Sequence, residues 1–127
     1  MKNLLDTCTI LWLATNSSKL SDTAKQAIFA PESECFVSIA SAWEVAIKFG
    51  KGTLHLDGGV SEFFRIIDEN GFELLPIKHK HVKIIETLPR LHGDPFDRIL
   101  IATAMNENMR LITDDEDIHK YDVPWIW

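Results

Sequence analysis

The sequence has 127 residues, two cysteines and a formal charge of −6 from 13 Lys+Arg against 19 Asp+Glu. A chain of this length buries about two thirds of its unfolded surface without staples, so one domain over residues 1–127 with one core is expected. The excess of acid argues against broad coating of nucleic acid through phosphate neutralisation, and Cys8 and Cys35, in no Cys-x-x-Cys pair, point to a reducing, cytoplasmic setting rather than a disulfide framework.

Lys2 to Leu5 is a short apolar run that stops at Asp6. That acid falls where a secretory signal would have its apolar centre, and no later stretch approaches the ~18 apolar residues of a membrane span. Thr9 to Ala14 reads as one or two helical turns, and Ser21 to Phe29 as a helix opened by a Ser-Asp cap. Cys35 to Val37 is a buried strand. Ile39, Trp43, Ala46 and Ile47 then recur at helical spacing until Gly50 and Gly52, with Ser41 to Glu44 fitting a capping box that puts Glu44 in the first turn. Val60 to Glu69 reads as a helix, Phe72 to Pro76 as a strand, Lys78 to Leu88 as a helix and Phe96 to Asn108 as a long helix. Arg110 to Thr113 is a strand, and Pro124 to Ile126 a last edge strand. Short apolar runs separated by helices imply an α/β fold of three layers, α/β/α, around a central parallel sheet of four to five short strands.

In an open parallel sheet, ligands gather outside the carboxyl ends of the strands. Asp6, Glu44, Asp97 and the Asp114-Asp115 pair all fall there. Each has a purely local explanation: Asp6 as a helix cap, Glu44 in the capping box, Asp97 in a first turn behind the Asp94 cap and Pro95, and Asp114 or Asp115 as the cap of Glu116 to Lys120. Capping does not require four separate elements to point carboxylates into one rim. Two carboxylates ~4 Å apart repel by roughly 4 kcal/mol at an effective dielectric of 20, so such a group stays ionised around a cation or by spreading apart. An all-oxygen donor set selects a hard ion, Mg²⁺ or Mn²⁺, and that ion brings phosphodiester chemistry.

Four blocks carry a resemblance: Leu4-Leu5-Asp6-Thr7, Ser38 to Lys48, His92 to Ala102, and Leu111-Ile112-Thr113-Asp114-Asp115. In order and spacing they resemble the motifs of the PIN domain, and most closely the VapC-like toxins of bacterial toxin-antitoxin pairs. The resemblance implies a metal-dependent endoribonuclease with Asp6, Glu44, Asp97 and Asp115 around Mg²⁺ or Mn²⁺ and Thr7 or Ser38 as hydroxyl support. It further implies an RNA substrate, a homodimer, and an antitoxin partner that blocks the site. The family's Thr, one residue, then Asp pattern selects Asp115, with Asp114 as the alternative.

Two other functions fit parts of the chain. A phosphoacceptor receiver domain has similar length and strand-end acids but needs an acidic pair after its first strand, where Asp6 stands alone. A non-catalytic binding module could retain the same fold. Of the remaining residues, Arg98 reads as a phosphate contact, a surface ion pair or a group that orients the acids. Lys48, Lys51 and Lys78 to His81 read as an RNA-tracking rim or a solvated face. His92 reads as a loop residue holding the Asp94 turn, the tryptophans as core or dimer contacts, and Cys8 and Cys35 as small buried hydrophobes.

Overall fold

The computed structural model describes all 127 residues. Five strands, β1 (Lys2–Leu5), β2 (Glu34–Ser38), β3 (Glu73–Leu75), β4 (Arg110–Ile112) and β5 (Trp125–Ile126), form one parallel sheet in the order β3-β2-β1-β4-β5. Alternation along the strands sorts the core. Leu5, Cys35, Val37 and Ile112 face a layer of α1 (Thr7–Ala14), α2 (Asp22–Phe29), α3 (Ile39–Gly50) and α4 (Gly59–Glu69). Leu4, Phe36 and Leu111 face the opposite layer of α5 (His79–Thr87), α6 (Pro95–Glu107) and α7 (Glu116–His119). Leu4 pairs in register with both Phe36 and Leu111. A one-residue slip would therefore exchange the two faces, and each fully buried leucine is worth roughly 1.5–3 kcal/mol. The three-layer architecture is the one expected from the apolar runs.

One polar residue sits within the central strand. Asn3 is fully buried, donating to Ser33 Oγ at 2.7 Å and Ala27 O at 3.3 Å and accepting from Arg110 Nε at 3.0 Å. The amide is thus satisfied from three sides, as burial of a polar group demands.

The strand order also decides against the receiver alternative, whose sheet runs 2-1-3-4-5. Here the chain walks from β1 through β2 to β3 on one side and returns to add β4 and β5 on the other. The direction of winding reverses between β1 and β4, so the crevice of a doubly wound sheet opens at the carboxyl ends of those two strands.

Several local expectations need correction. Helix α3 starts at Ile39, directly after β2, and its cap is Ser38, whose hydroxyl accepts from Ala40 N at 3.0 Å. Ser41 to Glu44 is therefore no capping box, and Glu44 lies in the second turn. Cys8 is exposed, not buried, whereas Cys35 is in the core. Trp12 and Trp127 meet edge-to-face at 5.5 Å against the core, but Trp43 is 59% exposed and Trp125 is exposed as well. No helix is long and apolar enough to cross a membrane.

Candidate active site

The β1–β4 crevice is built around Asp6. As the cap of α1, its Oδ1 accepts from Thr9 N at 2.8 Å and Thr9 Oγ1 at 2.6 Å, while Oδ2 accepts from Thr113 Oγ1 at 2.5 Å. Thr113 follows β4 and ties several elements together. Its N–H donates to Ile126 O at 3.2 Å, its hydroxyl accepts from Asp115 N at 3.1 Å, and its carbonyl accepts from His119 Nε2 at 2.8 Å. Burial lifts the Asp6 carboxyl above its ordinary value despite the hydrogen bonds from Thr113 and Thr9, and nearby Asp115 adds to the rise.

Glu44 projects from α3 toward α1. Its Oε1 accepts from Thr7 Oγ1 at 2.6 Å, and its Oε2 takes Lys48 Nζ at 2.7 Å, one turn further along. Of the two expected hydroxyl supports, Thr7 serves an acid, whereas the Ser38 hydroxyl is the cap of α3.

Asp97 stands in the first turn of α6, its N–H and that of Phe96 accepted by the Asp94 carboxylate. His92 Nε2 lies 3.1 Å from Asp97 Oδ2. Burial pushes the Asp97 carboxyl up to about 7, opposed by the His92 hydrogen bond and reinforced by Asp94 and Asp115. Asp115 caps α7 through Asp117 N at 2.9 Å and is half-buried, whereas Asp114 is exposed. It is Asp115 whose charge bears on both Asp6 and Asp97. Capping and clustering therefore coexist: Asp6, Asp94 and Asp115 cap helices, and the same helix starts bring acids to one rim. In this conformation no three of the acids, histidines or cysteines close into a coordination shell.

The family model of the PIN domain matches residues 4–124. The chain belongs to the PIN-domain family. Members of this family are typically nucleases. Among solved structures, VapBC2 from Rickettsia felis, bound to a DNA fragment from its promoter, superposes with a TM-score of 0.75 at 14% identity, covering 100% of this chain and 99% of that one. VapBC-1 from nontypeable Haemophilus influenzae gives 0.71 at 19% identity over 99% and 97%. The PIN domain endonuclease Utp24 gives 0.56 at 16% over 94% and 74%. No curated protein matches the sequence significantly.

The PIN-domain rim holds residues that sequence reading passed over or misread. Thr9, which holds Asp6, carries no signal beyond being a threonine after the first strand, and Thr113 enters the sequence motif only as the marker of Asp115, not as a partner of Asp6. His92 contacts Asp97 and Tyr121 rather than holding the Asp94 turn. Arg98 is buried and donates to Leu88 O, Pro89 O and Tyr121 Oη, so it is neither a surface ion pair nor a free phosphate contact. In the Lys78 to His81 stretch, His81 is fully buried against Glu107, and Lys78 and Lys80 pair with the same carboxylate.

Proposed function

We propose that this PIN domain is a divalent-cation-dependent endoribonuclease that acts in the cytoplasm as the VapC-like toxin of a toxin-antitoxin pair, with Asp6, Glu44, Asp97 and Asp115 as its working acids. The observation that carries the reading is the rim itself, where Asp6, Asp97 and Asp115 feel one another's charge, Glu44 joins Asp6 and Asp115 around Cys8, and burial raises two of these acids above their ordinary range. Lys48 offsets Glu44, but no lysine or arginine pairs with Asp6, Asp97 or Asp115. The donors of the rim are all oxygen, which suits Mg²⁺ or Mn²⁺, and Mg²⁺ is commonly held by only one or two carboxylates together with waters and substrate phosphates. A looser rim without a closed protein shell is compatible with that habit.

The cation would be held among Asp6, Glu44, Asp97 and Asp115. When bound it would supply the acidified water and the charge that offsets the scissile phosphate. The protein's own groups perform the positioning. Thr9 and Thr113 fix both oxygens of Asp6. Thr7 and Lys48 fix both oxygens of Glu44. Lys48, at the mouth and half exposed, is placed to meet a phosphate once it leaves Glu44.

The same reading includes two partners: a second copy of the chain, and an antitoxin whose cationic side chain enters the acidic rim. Light scattering that shows a stable monomer, together with no co-purifying partner from native cells, would count against both. For the activity, structured RNA is incubated with the protein and Mn²⁺, with and without chelator. Cleavage that needs the metal and is lost in Asp97→Asn is expected, and sequencing of RNA ends after induction then names the target. Intact RNA in the presence of Mn²⁺ would leave a non-catalytic binding module.

A further inference from the structure

The side chains behind Asp97 form a chain of donors whose direction can be worked out. A guanidinium only donates. Buried Arg98 spends Nη2 on Leu88 O at 3.1 Å and Nη1 on Pro89 O at 2.8 Å and on Tyr121 Oη at 2.9 Å. The Tyr121 oxygen also receives the backbone N–H of His92 at 3.3 Å. With two donors pointing at it, this oxygen has one hydrogen to give, and the acceptor at 2.8 Å is His92 Nδ1. Nδ1 must then be the unprotonated nitrogen of a neutral imidazole, and the ring hydrogen sits on Nε2, 3.1 Å from Asp97 Oδ2.

We propose that Arg98, Tyr121 and His92 are positioning residues that lock the Nε2–H tautomer of His92 and thereby aim Asp97 at the divalent cation. The inference rests on the nuclease reading for the identity of the cation. Arg98 neighbours Asp97 in sequence, yet its guanidinium turns the other way and none of its hydrogen bonds reaches that carboxylate. No salt bridge from Arg98 therefore competes with an external ion for the Asp97 carboxylate. The neutral Nε2–H holds Oδ2 and leaves Oδ1 for the rim. In the opposite tautomer an unprotonated Nε2 would present its lone pair to the carboxylate and push it away. Partners of this kind, behind a metal-binding side chain, typically change affinity or activity by 10–100-fold.

The test uses the full chain and reads two quantities. Long-range ¹H–¹⁵N NMR of the metal-free protein, recorded well above pH 7 so that Asp97 is ionised, reports the His92 tautomer, and Mn²⁺ titration reports the dissociation constant on folded protein. Wild type is expected as Nε2–H alone, and Tyr121→Phe as a mixture of tautomers with about tenfold weaker Mn²⁺ binding. His92→Phe, which does not depend on the buried Tyr121 position, is expected to weaken Mn²⁺ to a similar degree. His92→Gln, whose amide reaches the position of Nε2 with a donor, is expected to recover most of the loss. A wild-type ring protonated on Nδ1, or Mn²⁺ binding unchanged in both Tyr121→Phe and His92→Phe, overturns the proposal. Wild type that binds no Mn²⁺ overturns the cation reading instead, and the tautomer result still stands on its own.

Discussion

Asp6 carries two roles that a single substitution separates. Asparagine ranks beside aspartate as a helix cap, so Asp6→Asn keeps the acceptor for Thr9 N, gives up the acceptor of Thr113 Oγ1 and, in partial compensation, removes a buried, crowded charge. The apo fold is expected to stay within about 1 kcal/mol of wild type or to gain stability, whereas RNA cleavage should fall by more than the roughly 10–100-fold typical of supporting groups. Urea denaturation and a cleavage assay on the same preparation read both, and a folded Asp6→Asn that cleaves like wild type would sink the assignment. Asp97 gives a pH signature. Its folded carboxyl, raised to about 7, holds a proton that the unfolded chain has lost by the ordinary value of 3.8. The folded metal-free chain thus binds more protons across that window, and its stability falls as pH rises from about 4 to about 7. Asp97→Asn removes this slope, so denaturation in chelator should find the variant gaining on wild type toward pH 7. Sequence placed these acids at a shared rim because strand ends and helix starts are local signals. It could not place their supports: Thr113 meets Asp6 across 107 residues and Tyr121 meets His92 across 29, and no periodicity encodes such contacts.

Helix starts, rather than loops, bring three of the four acids to this rim, since α1, α6 and α7 open within one residue of a capping aspartate, while Glu44 stands one turn into α3. The joint between β2 and α3 has no connecting residues at all, which is why Ser38 and not Ser41 is the cap. The sequence signal for Ser41 to Glu44 was genuine as a pattern but fell one turn too late, because a strand that passes straight into a helix leaves no loop to mark the boundary. The shift matters for function. It puts Glu44 in the second turn, facing Thr7 on α1, instead of leaving its carboxylate to cap its own helix. Ser38→Ala therefore removes a cap and not an acid: a loss of about 1 kcal/mol is expected in denaturant unfolding. At temperatures where the variant is folded, its cleavage rate per folded molecule should match wild type. A rate that falls further than the folded fraction would return Ser38 to the role of hydroxyl support.

At the scale of the whole molecule, the layered α/β/α architecture was legible in the sequence because strands buried on both faces must be continuously apolar. The strand order was not, since nothing local says on which side of β1 the chain will return. That order makes the crevice, where Asp6, Asp97 and Asp115 act on one another's charge in a chain whose net charge is −6. Folding the metal-free protein therefore includes the work of holding Asp6, Asp97 and Asp115 near one another, and a cation that binds only the folded rim returns it. By mass action, Mn²⁺ at 100 times its dissociation constant stabilises the folded state by about 2.7 kcal/mol. For a domain between the 100- and 150-residue benchmarks this corresponds to a rise in melting temperature of roughly 10 °C. The increment should grow with the logarithm of Mn²⁺ concentration and disappear in excess chelator. Sodium chloride at equal ionic strength should not reproduce it, because screening acts on all surface charges weakly while the divalent ion acts at one place. The Asp6→Asn/Asp97→Asn double variant separates the rim from the rest of the acidic surface. Its melting temperature without metal should equal or exceed that of wild type, and its response to Mn²⁺ should be close to nil. Equal Mn²⁺ stabilisation of wild type and double variant would place the cation elsewhere and remove the case for this crevice as the metal site.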